Sequence, residues 1–239
     1  MENNNWNISQ TGGTQTQSNV KTFMANVFSW MFAGLAITTI AAYYFASDMS
    51  LMSTLVGERG LTILGYVVMF APFIFVLLMG AGLNRFSYSV ILTLFIAFAT
   101  IMGISLSFVL LAYTASSIYT TFASASVMFG VMAVMGYTTS TDLTKLGNIL
   151  MMALIGMIVA SLINFFMQSS TMSYIISFIG VIVFTGLTAY DVQKLKRIGE
   201  GVEYGSESTK KLVIMGALSL YLDFINLFLS LLRLFGDRK

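Results

Sequence analysis

Residues Ser219–Gly236 read SLYLDFINLFLSLLRLFG. Almost every position is apolar, yet Asp223 stands in the middle. On insertion scales an acid at the centre of a membrane span costs about 2.5–3.5 kcal/mol. Counting along a helix, Ser219, Asp223, Asn226 and Ser230 fall four, three and four positions apart. They therefore share one face, surrounded by Leu, Ile and Phe. Such a polar stripe belongs in the interior of a helical bundle, not against lipid.

The rest of the chain supports that reading. It has 239 residues, of which 57% are hydrophobic and 9% charged. A soluble domain carries about 25% charge, so this is an integral membrane protein. The apolar runs are too long for the alternating segments of a membrane barrel, and an all-α architecture follows. Seven segments qualify: Phe23–Ala46, Leu61–Leu83, Tyr88–Tyr113, about Thr121–Tyr137, Leu146–Met167, Tyr174–Leu195 and Leu212–Phe235. The polar runs TASSIYTT (114–121) and QSSTMS (168–173) separate neighbours, and a charged loop, 194–211, precedes the last. Residues 1–21, rich in Asn, Gln, Thr, Ser and Gly, read as a disordered tail. Residues 22–239 read as one transmembrane domain.

Missing residue types exclude chemistry. There is no Cys and no His, so thiolate nucleophiles, thiolate metal sites and His-based catalytic triads are ruled out. Any ion site must use oxygen donors, which suit Ca²⁺ or protons. No cofactor and no nucleic-acid partner is expected, and the chain does not read as an enzyme. An intramembrane aspartyl protease is a rival two-aspartate reading. Neither TAYDVQ nor LYLDFIN, however, carries the glycine that usually precedes such an acid.

Lys and Arg orient the chain. If all seven segments cross, the N-terminal side holds Lys21, Arg85, Lys145, Lys194, Lys196, Arg197, Lys210 and Lys211, and the other side Arg59, Arg233, Arg238 and Lys239. Eight against four makes the N-terminus cytoplasmic. If the last segment turns back, its charges change sides and the count is eleven against one. The charge rule thus prefers a re-entrant last segment, and both topologies stand at this point.

The sixth segment carries a matching stripe of Ser177, Gly180, Thr188 and Asp191. Asp191 is the best-placed partner for Asp223. Two carboxylates in contact cannot both ionise cheaply, so such a pair shares a proton and acts as a pH-sensitive latch that either repels or recruits a cation when fully ionised. Ser219, Asn226, Thr188 and Arg233 are candidate supporting residues. Without a switch, a Ser/Thr/Asn stripe is packing glue between helices.

These residues also carry a resemblance. MGALSLYLDFINLFLSLLRLFG (215–236) closely resembles the final segment of the BAX inhibitor family, the transmembrane BAX-inhibitor-motif proteins. VIVFTGLTAYDVQKLKR (181–197) looks like that family's sixth span, and MGYTTSTDLTKLG (135–147) its loop after the fourth. The resemblance implies a seven-helix bundle with the last helix central and six around it. It implies a bacterial inner-membrane protein that leaks Ca²⁺ in a pH-dependent way, gated by Asp191 and Asp223, which would then also be the Ca²⁺ ligands. Its partners would be the lipid bilayer, Ca²⁺ and H⁺. A membrane regulator that binds a protease or stress-response partner is the alternative. Some members carry a Glu and an Arg in or beside the second span. Here Leu61–Leu83 has no charged residue, and Gly65 stands where the acid is expected.

Overall fold

The computed structural model describes residues 5–57, 60–203 and 205–239, and of residues 5–16 the backbone alone. The elements in order are α1 (Asn5–Ser47), α2 (Met49–Leu55), β1 (Val56–Gly57), β2 (Gly60–Leu61), α3 (Ile63–Gly82), α4 (Tyr88–Ala112), α5 (Ala115–Thr138), α6 (Thr144–Met167), α7 (Ser170–Gly201) and α8 (Glu207–Phe235). Seven of these helices, all but α2, are long and apolar enough to cross a bilayer. The protein is an all-α membrane protein. The polar tail read over 1–21 begins outside the described residues, and from Asn5 its backbone continues α1. Burial begins at Val20 and Phe23.

Local chemistry sets where the helices start. Asp48, Thr62, Thr114, Ser169 and Ser206 each accept a backbone N–H of the following first turn, satisfying donors that have no partner inside the helix. This corrects the expected break at 114–121. Thr114 caps α5, so only Tyr113 and Thr114 separate α4 from α5. The Ser and Thr residues beyond are helical nonetheless, Ser117 Oγ donating to Asp237 Oδ2 at 3.5 Å and the Ser124 hydroxyl to the Thr120 carbonyl of its own helix at 2.9 Å. The expected loop at 194–211 is likewise mostly helix. α7 continues to Gly201 and α8 starts at Glu207. Lys, Arg and Glu end a membrane crossing without ending a helix, since their helix propensity is good.

α8 is the most buried of the seven long helices. Its main neighbours are α1, α4, α5 and α7, while α3 rests chiefly on α4 and α6 on α7. Edge-to-face rings fix the α5 side, with Phe122 and Phe129 packed on Phe224 at 5.3 and 5.6 Å between centroids.

Both ends of α8 are clamped to α4. At one end the Tyr88 N–H donates to Glu207 Oε1 at 2.9 Å, and Lys211 Nζ to the Phe86 carbonyl at 3.1 Å. At the other, the Thr114 N–H donates to the Asp237 carbonyl and the Lys239 N–H to the Ala112 carbonyl, both at 3.0 Å. α4 has 25 residues and is therefore about 37 Å long, so α8 spans the same thickness. The last segment crosses completely, and the C-terminus lies on the face opposite the start of α8. The charge rule preferred the re-entrant alternative because it weighs the three C-terminal cations without regard to what holds the segment. Here Lys239 Nζ caps the Leu110 carbonyl at 2.9 Å and Arg238 lies over the Tyr113 ring, tying the end of the chain to the far end of α4.

Gly65 has a steric explanation. A Cβ there would collide with the Leu55 carbonyl oxygen, so the close approach of α2 to α3 leaves no room for the acid that the resemblance led us to expect.

Candidate functional site

α7 and α8 run antiparallel in direct contact. Gly180 lies against Ser230, Asp191 is bonded by Ser219, and Leu195 covers Gly216, so the facing residues stay in step along both helices. Small residues at the crossing let the backbones approach. The same register puts Leu187 at the level of Asp223.

This geometry assigns the acids unequal roles. The Ser219 hydroxyl donates a short hydrogen bond to Asp191 Oδ2. Asp223 lies one turn deeper on the same face of α8, about 5–6 Å further along the axis. It is 5% exposed, and its Oδ2 is fully buried with no hydrogen-bond partner. A buried acceptor without a partner costs about 1–3 kcal/mol, and each such group calls for an explanation, a functional role among them.

Of the expected supporting residues, only Ser219 reaches the pair. The Thr188 hydroxyl donates to the Phe184 carbonyl of its own helix and Asn226 Nδ2 to that of Leu222, each at 2.8 Å. Arg233 lies in the last turn of α8, about 15 Å beyond Asp223 along the axis.

A second buried polar contact was not anticipated. The Tyr221 hydroxyl and Thr38 Oγ1 of α1 are 2.7 Å apart, and Thr38 donates to the Ala99 carbonyl of α4 at 2.8 Å. Tyr221 is fully buried, edge-on to Phe98. α8 is thus pinned at one height on two faces, by Ser219 to α7 and by Tyr221 to α1 and α4. The available signal was a polar handle in each of two apolar runs, Thr38 in ITTI and Tyr221 in LYLD. Tyr221→Phe is expected to cost about 1 kcal/mol, read as a lower unfolding midpoint in detergent. An unchanged midpoint would mean the hydroxyl contributes nothing.

The basic end of α7 organises the α5–α6 loop. Gln193 accepts from the Leu143 N–H and donates to the Thr141 carbonyl at 2.9 and 2.7 Å. Lys196 donates to the Tyr137 carbonyl at 3.0 Å. Arg197 pairs with Asp142 at 2.8 Å. Hydrogen bonds from the Thr144 side chain and backbone, then from Arg197, hold the Asp142 carboxyl down at about 2.

Seven apolar helices, the last of which buries an unpartnered acid, define a multi-pass membrane protein with a polar site inside its bundle. Residues 20–239 match the model of the family described as Inhibitor of apoptosis-promoting Bax1. The chain is 43% identical over 226 residues to Inner membrane protein YbhL of Escherichia coli K12, covering 94% of this chain and 95% of that protein. It is 40% identical over 225 residues to a protein of Deinococcus radiodurans, covering 94% of each. It is 36% identical over 229 residues to a membrane protein of Streptococcus pyogenes serotype M3, covering 93% and 96%. The chain belongs to the BAX inhibitor family.

Proposed function

We propose that the protein is a pH-sensitive calcium leak channel of the bacterial inner membrane, with Asp191 and Asp223 as gate and proton sensor. The observation that carries this reading is the buried, unpartnered Oδ2 of Asp223 one turn below a hydrogen-bonded Asp191. The structure brings the two acids within a turn of each other without a hydrogen bond between them. The expected direct sharing is therefore replaced by protonation of the buried Asp223, which lets α7 and α8 stay closed. Loss of that proton leaves two like charges in a low dielectric, and the repulsion shifts α8 against α7. Ca²⁺ takes six to eight oxygen ligands. Among the described residues no cluster of three or more acids exists, so the ion is cargo, passing the pair with most of its ligands supplied by water. The N-terminus is cytoplasmic on the eight-to-four distribution of Lys and Arg, and no catalytic chemistry is assigned.

The test is Ca²⁺ uptake into liposomes holding purified protein across pH 6–8. Wild-type flux is expected to vary with pH, and Asp223→Asn to flatten the profile. Asp142→Asn is expected to leave the profile intact. With its value near 2, Asp142 stays ionised over that range, and its pairing is lost only as pH falls from about 4 through 2. An unchanged profile in Asp223→Asn would refute the gate. Flux no greater than in empty liposomes would shift the reading to a membrane regulator of a protease or stress-response partner.

A further inference from the structure

The basic end of α7 does more than orient the chain. Beside it, between the start of α6 and the end of α7, lies a groove of about 260 Å³ lined by Thr144, Tyr190, Gln193, Lys194, Arg197 and Ile198. It sits where the apolar run of α7 gives way to Lys194 and Arg197, the depth at which lipid headgroups meet a membrane protein. Two cations line it and no carboxylate does. Arg197 is held in place by Thr144 Oγ1 at 3.1 Å and Asp142 at 2.8 Å. These contacts orient the guanidinium and leave other N–H groups for an incoming acceptor. Lys194 has no carboxylate within ion-pair distance among the described residues. Its Nζ lies 5.9 Å from the Tyr190 ring centroid, so its stem runs along the groove wall.

We propose that this groove binds the phosphate of an anionic phospholipid, with Lys194 and Arg197 as phosphate ligands and Tyr190 and Ile198 against the adjoining glycerol and first acyl carbons. Anionic headgroups are recognised by basic recesses between helices on the cytoplasmic side. The apolar wall beside the cations favours a lipid over a soluble phosphate. The binding itself does not depend on the channel reading.

The test is native mass spectrometry of the detergent-purified protein with equal amounts of phosphatidylglycerol and phosphatidylcholine of matched acyl chains. Preferential retention of phosphatidylglycerol is expected, reduced about fivefold in Lys194→Gln, the effect of one cation near the surface. Lys194 is exposed, so this variant folds. Lys210→Gln, an exposed cation at the start of α8 on the same membrane face, is expected to leave the preference unchanged. An equal loss in both variants would assign the preference to general surface charge and overturn the site. Equal retention of the two lipids would overturn it outright. Displacement of phosphatidylglycerol by millimolar inorganic phosphate would assign the groove to a soluble phosphate and overturn the lipid reading.

Discussion

Asp223→Val is expected to raise the unfolding midpoint of the purified protein, by the equivalent of about 1–3 kcal/mol. The acid occupies a buried position, and its Oδ2 accepts nothing. Leu187 lies at its level on α7, while Phe224 and Ile225 follow it on α8, all buried. A residue that only fixed helix packing would be hydrogen-bonded, and its removal would weaken the bundle. Here removal deletes a polar group that the fold has left unsatisfied, and Val fills the space with apolar atoms. Stability held below its optimum at a working position is the usual cost of function. The measurement is thermal unfolding in detergent beside the flux assay. A higher midpoint together with a lost pH response is the expected pair of results. A lower midpoint would mean that Asp223 holds the helices together, and the gate would lose its main support.

The second large effect has the opposite sign. Gly136→Val is expected to destabilise the protein by about 1–3 kcal/mol or more, the penalty of forced overpacking. A Cβ at Gly136 would run into the Ala189 backbone of α7, its three nearest atoms being the carbonyl oxygen, carbonyl carbon and Cα. A side chain could rotate aside, but a backbone cannot. α5 and α7 would have to separate next to Tyr190 and Asp191, so the strain reaches the acid pair. The expected observation is a lower midpoint and poorer yield of monodisperse protein. Gly130 in the same helix serves as the comparison. A Cβ there meets nothing within 4 Å, so Gly130→Val should have little effect. Equal losses at both positions would place the penalty in helix propensity rather than in the α5–α7 contact.

The two substitutions divide the information by source. Seven spans, the all-α class and the polar stripe through Asp223 were legible in the chain, because hydropathy and helical periodicity are properties of neighbouring residues. The family was legible for the same reason, in the unbroken motif around Asp223. Helix ends were less so. The runs at 114–121 and 194–211 read as breaks because they are polar, yet polarity sets where the membrane ends and not where the backbone stops being helical.

What the sequence determined by itself was the class of protein, the number of apolar segments and the choice of two acids that face the bundle interior. Only the tertiary structure decided what each acid touches. Ser219 turns out to Asp191, while Thr188 and Asn226 bond to their own helix, a choice no spacing encodes because all are compatible with one face. It also decided that the last segment crosses, since its length is matched against α4 through contacts at both ends. Tyr221 and Thr38 lie far apart in the chain and meet only when α8 packs on α1. Local patterning fixes which face of a helix is buried. The register between two helices, and so the partner of a buried polar group, is set by close packing across the interface.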